Sequence, residues 1–262
     1  MKSVRAKKHL GQHFLNDLNI AQKIAETVAD TPIETLIEIG PGMGVLTQFL
    51  DDHFDKLHLI EIDSESVQYL NEYFPKLQGR IHELDFLKID LREKFPQQSL
   101  GIIGNFPYNI SSQIVFKVLE NRDQIPFFGG MFQKEVAQRL CEKPGSKTYG
   151  ILSVLCQLFY DTNYLFTVSP KVFSPPPKVD SGVIQMLRKE DFSLGCDEKL
   201  LFKVVKTSFQ QRRKTLRNSL KSFQLEKSLT EDSIFGQRPE QLTGADFVAL
   251  TQRIEHGQFS DQ

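Results

Sequence analysis

The chain has 262 residues, 40% of them hydrophobic and 25% charged, and a formal net charge of −1. Those proportions fit a soluble globular protein of one large domain, or of a large and a small one. A charge near zero gives no global pull on nucleic acid, so any such affinity has to come from a local patch.

The first residues are basic (Lys2, Arg5, Lys7, Lys8), but no apolar segment follows, so a secretory signal is not expected. Ile20, Ile24 and Val28 recur at helical spacing over 17–29, with Asn16 or Asp17 placed to cap that helix. A short buried strand, Thr35 to Ile39, runs into the glycine cluster Gly40-Pro-Gly42-Met-Gly44. After a helix, Leu57 to Ile62 reads as a second strand. A third, Ile81 to Leu84, ends at Asp85, and a fourth ends at Asn105. A helix over 110–121 and a fifth strand, Pro126 to Phe132, follow. Strands alternating with helices imply a mostly parallel sheet with helices on both faces. Asn163 to Val168 and Gly182 to Leu187 read as late strands, antiparallel additions at an edge. Ile151 to Tyr160 is too short to span a membrane and is broken by Ser153 and Gln157. Beyond residue 190 the pattern is helical. The expected boundaries are 1–190 for an α/β domain and 191–262 for a small helical domain. The cysteines, Cys141, Cys156 and Cys196, have no metal-ligand spacing; free thiols in a reducing cytoplasm are expected, and no metal.

Three features close successive strands, where open parallel sheets bind ligands. The loop Gly40-Pro-Gly42-Met-Gly44 permits a tight turn and close approach. A dinucleotide fingerprint needs glycine at 45, where Val45 stands; Gly-x-Gly-x-Gly suits S-adenosylmethionine, which carries no pyrophosphate. Glu61, 21 residues after Gly40, can accept both ribose hydroxyls. Asp63 competes for that role but is placed to cap the next helix. Asp85 can accept an adenine amine, with Phe86 packing on the purine. Each feature alone is more often a cap or a solvated strand end; the three in order favour a ligand.

The fourth strand delivers Asn105-Phe106-Pro107-Tyr108. The exocyclic amine of adenine donates its lone pair into the ring and is a poor nucleophile. The Asn105 carbonyl and a nearby backbone carbonyl can each accept one of its hydrogens and free the lone pair. Pro107 fixes the direction of the turn, and Tyr108 offers a ring on which an extruded base can stack. The bland alternative is a strand-to-helix turn that happens to contain Asn and Pro. Between Lys199 and Lys221 lie eight basic residues and no acid, including Arg212, Arg213, Lys214 and Arg217. That run suits phosphate contact, against the alternative of a solvated helix face.

Four segments carry a resemblance over nearly the whole chain: Lys8-His-Leu-Gly-Gln-His-Phe-Leu-Asn-Asp17, Ile37-Glu-Ile-Gly-Pro-Gly-Met-Gly44, Gly104-Asn-Phe-Pro-Tyr-Asn-Ile-Ser111 and Val172-Phe-Ser-Pro-Pro-Pro-Lys-Val-Asp-Ser181. The chain resembles the ribosomal RNA adenine dimethyltransferases, and among them the bacterial group acting on two adjacent adenosines near the 3′ end of 16S ribosomal RNA. The resemblance implies a Rossmann-like class I methyltransferase fold with a helical C-terminal domain. It also implies that His13, Leu15, Gly40, Glu61, Asp85 and Asn105 surround S-adenosylmethionine, and it favours Phe173 as a base-stacking wall opposite Tyr108 over a core residue. The implied partner is 16S ribosomal RNA or a precursor of the small subunit, met in the cytoplasm by a monomer. His13 departs from the Asn usual there. Phe106 departs from Leu, and its larger ring could narrow the pocket. The rivals are methylation of a DNA adenine or a glutamine amide, and a ribosome-assembly factor whose binding matters more than its chemistry.

Overall fold

The computed structural model describes residues 4–28 and 31–259, with side chains as far as 256. The chain divides between two compact units, Met1–Ala137 with Asp161–Arg188, and Gln138–Tyr160 with Lys189–Gln262. The helical unit therefore takes in 138–160, which the expected division near 190 leaves with the sheet.

The first unit begins with the two-residue strand β1 (Phe14–Leu15) and α1 (Leu18–Ala25), whose N-cap Asp17 accepts N–H bonds from Asn19 and Ile20. Then come β2 (Thr35–Ile39), α2 (Thr47–Asp51), β3 (Leu57–Glu61), α3 (Ser64–Tyr73), β4 (Ile81–Glu83), α4 (Leu91–Lys94), β5 (Leu100–Asn105), α5 (Ser111–Glu120) and β6 (Phe127–Gln133). After α6 (Lys134–Cys141) and α7 (Ile151–Phe159), the chain adds β7 (Tyr160–Val168), β8 (Phe173–Ser174) and β9 (Ser181–Arg188). One seven-stranded sheet has the order β4-β3-β2-β5-β6-β9-β7, and β1 pairs with β8 on its own. The strands β4, β3, β2, β5 and β6 are mutually parallel, and β9 runs antiparallel to β6.

All five positions of β2 are buried, as expected of a central strand covered on both faces. Ile39 lies opposite Ile60 on one side and Gly104 on the other. That register sets Gly40, Glu61 and Asn105 side by side at the carboxyl ends of three adjacent strands.

Phe106 is 1% exposed, and its ring packs on Phe128 (centroids 5.1 Å apart) and Phe132 (4.8 Å). The neighbouring strands make room with glycine. A Cβ on Gly130 would come within 2.1 Å of the Gly104 carbonyl oxygen and 2.9 Å of the Phe106 ring. The larger ring thus packs into the core, while Phe106 remains part of the cleft wall beside Asn105 and Pro107.

The second unit comprises α7, α8 (Glu198–Gln210), α9 (Leu216–Ser219), α10 (Lys227–Thr230) and α11 (Gly244–Phe259). Its core includes Leu155, Phe159, Val204, Val205, Phe247 and Leu250, each fully buried. No helix among the described residues is long and apolar enough to cross a membrane.

Candidate active site

A cleft at the carboxyl ends of β2, β3 and β5 is lined by His13, Leu15, Gly40, Gly42, Glu61, Asn105, Pro107 and Tyr108, among other residues. Sequence reasoning singled out all eight, and the fold gathers them although they lie far apart in the chain.

The glycine loop turns its own amides inward. The Gly40 N–H donates to the Ile60 carbonyl at 2.9 Å, Gly44 to Pro41 at 2.9 Å, and Gly42 to Glu61 Oε2 at 3.0 Å. No glycine N–H of the loop is left to cradle a pyrophosphate, which fits a cofactor without one. Gly42 has φ +57°, and a Cβ there would meet the Phe14 ring at 2.8 Å. The loop and the N-terminal segment close on each other only because that residue is glycine.

Glu61 is 4% exposed and accepts three backbone N–H bonds: Oε2 from Gly42, and Oε1 from Ile62 at 2.8 Å and Asp63 at 2.9 Å. A carboxylate offers about four lone-pair positions, so one remains. The structure leaves room for a single further hydrogen bond, whereas two ribose hydroxyls call for a second acceptor or the exchange of a backbone bond. Burial raises the pKa of Glu61, against the lowering effect of those three amides.

Glu38 is a residue to which sequence reasoning gave no role. It stands one strand over, lines the same cleft, is 1% exposed, and accepts a hydrogen bond from Thr47 Oγ1 at 2.7 Å. Burial pushes its pKa up to about 8, with a further push from Glu61. The signal was present: one acid in the otherwise apolar run Leu36-Ile-Glu-Ile39 has to be explained by a partner or a proton.

Asn105 donates from Nδ2 to the His13 carbonyl at 3.0 Å. That bond assigns the two ends of the amide and leaves Oδ1 as acceptor. His13 Nδ1 lies 2.8 Å from the Pro175 carbonyl, so it carries the proton and donates. Its ring is an anchor for the segment while its main chain serves Asn105. Tyr108 is fixed through its hydroxyl, 2.5 Å from Ser181 Oγ on β9, and burial raises its pKa. Its ring centroid is 5.6 Å from that of His13. A base sandwiched between the two would need about 7 Å, twice the ~3.5 Å contact distance. Any stacked base therefore uses the other face of Tyr108 or parts the two rings.

Three expected site residues are not among those lining this cleft. Asp85 caps a 3-10 turn through the Leu87 N–H at 3.0 Å, lies 3.6 Å from Lys88 Nζ, and lines a separate groove with Lys88 and Asp90. Phe86 is 4% exposed, with Lys117 Nζ 5.4 Å from its ring centroid. Phe173 is 4% exposed in the hydrophobic core, opposite Leu15 in the β1–β8 pair. That placement is the packing role among the two weighed for it.

In the helical unit, Arg212 Nη2 donates to the Ser146 carbonyl at 3.0 Å, and Arg217 Nε donates to Thr230 at 3.0 Å. Arg213, Lys214 and Arg217 are exposed. Of the basic N-terminal residues, Lys2 lies outside the described residues. Lys7 is held by Asp63 and Glu65 and is no part of a free arm.

A sheet of this order, with a reversed strand β9 next to β6 and its ligand cleft at the parallel carboxyl ends, defines the fold of class I methyltransferases. The same fold recurs in a dimethyladenosine transferase from Plasmodium falciparum, with a TM-score of 0.80, 24% identity, and coverage of 94% of this chain and 98% of that one. It recurs also in the 23S rRNA methyltransferase ErmE, at 0.67, 24%, 91% and 99%. The chain belongs to the ribosomal RNA adenine dimethylase family, which matches residues 3–242. It is 63% identical over 255 residues to the ribosomal RNA small subunit methyltransferase A of Flavobacterium johnsoniae, spanning 97% of this chain and 98% of that relative. It is 60% identical to the protein of the same description from Parabacteroides distasonis, spanning 96% and 94%.

Proposed function

We infer that the protein dimethylates the N6 amines of two adjacent adenosines near the 3′ end of 16S ribosomal RNA, in the course of small-subunit biogenesis. Family membership over residues 3–242 supports the reaction class. The observation that carries the mechanism is the Asn105 amide, whose Nδ2 is spent on the His13 carbonyl. Its Oδ1 is thereby committed as an acceptor at the head of the cleft.

The methyl donor is S-adenosylmethionine, which when bound supplies an electrophilic methyl group on a cationic sulfur. The donor set fits it: a loop whose glycine amides are all spent within the protein, and a carboxylate at Glu61 with one acceptor position open. Leu15, Gly40, Gly42 and the His13 main chain complete the walls, and Asp85 with Phe86 stand as candidates for its adenine end. The chain's own work lies at the amine. Asn105 Oδ1 and a carbonyl of the turn through Pro107 accept its two hydrogens, which draws the nitrogen toward tetrahedral geometry and exposes the lone pair. Tyr108, held by Ser181, gives the extruded base a fixed face. Positioning and these hydrogen bonds account for the acceleration without a strong general base. The proton leaves after the methyl has arrived. In the helical unit, Arg213 and Lys214 contact RNA phosphates. On this reading the protein works in the cytoplasm, and as a monomer.

Incubation of small-subunit precursors with isotopically labelled cofactor, followed by mass spectrometry of the RNA, tests this reading. The expected product is N6,N6-dimethyladenosine at two neighbouring positions. Label found only in DNA, or on a protein amide, overturns it.

A further inference from the structure

Leu10 to Leu15 form a continuous part of the cleft wall, although they precede the first strand of the sheet. At its far end this strap is tied by the Leu15–Phe173 pairing and by the Asn16 N–H, which donates to the Val172 carbonyl at 2.8 Å. At its near end the tie is made by side chains. Lys7 Nζ forms an ion pair with Asp63, and a second with Glu65 at 3.1 Å. Gln12 bridges the two: Oε1 accepts the Lys7 N–H at 2.8 Å, and Nε2 donates to Asp63 Oδ2 at 3.2 Å.

Asp63 is 2% exposed and also accepts from Ser66 Oγ at 3.0 Å. Burial pushes its carboxyl up, and the bonds from Lys7, Gln12 and Ser66 outweigh that and hold it below the usual range. A buried carboxylate gathering this many donors is built to be charged and to stay attached. None of this is needed to cap α3, for which the Glu65 N–H alone suffices. Between the two ties, the strap presents the His13 carbonyl to Asn105 Nδ2 and the His13 ring to Tyr108.

We propose that Gln12 is a positioning residue for methyl transfer, latching the strap to Asp63 together with Lys7 and so holding the His13 carbonyl that orients the Asn105 amide. The inference rests on the reading of Asn105 as the amine acceptor. A primary amide is nearly symmetric in shape and opposite in polarity at its two ends. If the His13 carbonyl drifts, the amide can turn its NH₂ toward the substrate amine, where donor faces donor. The latch sets how often Asn105 points the right way, and it acts even when the cofactor site is full.

Gln12→Ala removes both of its bonds, and Gln12→Met removes them while keeping the length of the side chain. The single-turnover rate on small-subunit precursors is measured at saturating S-adenosylmethionine, with cofactor affinity and thermal unfolding followed alongside. The rate is expected to fall about 3- to 10-fold, the equivalent of one net hydrogen bond, with little change in KM for the RNA. Lys7→Met should act in the same direction, and Lys7→Arg, which keeps the ion pair, should restore the rate. A full rate at saturation in a folded Gln12→Met protein overturns the proposal, whatever happens to cofactor affinity, because the strap is then only a cover. Asn105→Ala separates the two levels. If that variant turns over normally, the reading of the site has failed. If it is inactive while the Gln12 variants are fully active, only the latch has failed.

Discussion

In the sheet unit, Gly40, Glu61 and Asn105 lie 21 and 44 residues apart yet stand side by side, because β2, β3 and β5 are hydrogen-bonded in register. In the helical unit, Arg212, Arg213, Lys214 and Arg217 fall within six positions, and the fold divides them. Arg212 and Arg217 bond to main-chain carbonyls, Arg212 half-buried and Arg217 exposed, while Arg213 and Lys214 are exposed side chains beside them. The difference is one of scaffolding. A parallel sheet delivers every strand end to one edge, so strand-end residues converge whatever their separation in the chain. A break between helices imposes no such order. After α8 ends at Gln210, the backbone must turn to bury Leu216, and neighbouring side chains leave in different directions.

The sharpest way to break this contrast is at Asn105. If convergence at the strand ends makes the reaction, Asn105→Ala should lower kcat by about 10²- to 10³-fold, the range for a lost transition-state hydrogen-bonding group. The fold should survive, since only the bond to His13 is lost, at a cost of about 0.5–1.5 kcal/mol. Turnover of labelled methyl groups, with circular dichroism as the control, decides the matter.

Glu61 is both ligand and scaffold, so its removal should register twice. Glu61→Ala is expected to weaken S-adenosylmethionine binding by about 1.5–3 kcal/mol, roughly one to two decades. It also orphans the N–H groups of Gly42, Ile62 and Asp63. Stability should drop by a further ~1–3 kcal/mol for each amide that water cannot reach. Calorimetry and urea unfolding measure the two separately. An unchanged dissociation constant with lowered stability would leave Glu61 as scaffold alone.

Much of the sheet unit was legible in the sequence because its signals are local: apolar runs of strand length, glycines after β2, acids after β3 and β4. What escaped has no local signature. Lys7 and Gln12 reach Asp63 across more than fifty positions, and no periodicity marks such a pair. Residues 138–160 belong to the helical unit although they precede β7 and β9 in the chain, so a boundary drawn where the strand pattern stops cannot find them. Asp85 and Phe86 follow the strand-end rule in sequence, but β4 is a three-residue edge strand and its exit turns Phe86 into the core.

Glu38 distinguishes the sheet unit in another way, through pH. Its folded pKa of about 8 lies above the ordinary 4.5, so the fold favours the neutral carboxyl. The stability this contributes is complete below the unfolded pKa and is lost as pH rises through 8. His58 works oppositely: burial, with help from His82, pushes it down to about 4 from 6.5, so its contribution is present above 6.5 and lost as pH falls toward 4. Between pH 6.5 and 8 only Glu38 of this pair changes. Stability should decline there by up to about 1.4 kcal/mol per pH unit, and Glu38→Gln should flatten the decline. A slope that survives in the variant assigns it to another group.

The smallest effect concerns Arg213 and Lys214, both exposed. Replacing all four basic residues would confound phosphate contact with the main-chain bonds of Arg212 and Arg217. Arg213→Ala with Lys214→Ala is the clean pair. If both touch phosphates, each loss should reduce the log–log salt slope of RNA binding by roughly 0.7–0.9, and weaken binding across unrelated sequences alike. Cofactor affinity should not move, because neither residue lines the cleft. Arg212→Ala and Arg217→Ala should do the reverse: lower the melting temperature of the protein and leave the slope nearly unchanged. Filter binding across a salt series reads all three variants. Should the Arg213/Lys214 pair keep its slope, a dense basic run in the sequence has made no binding surface there, and the contrast between the two units becomes wider still.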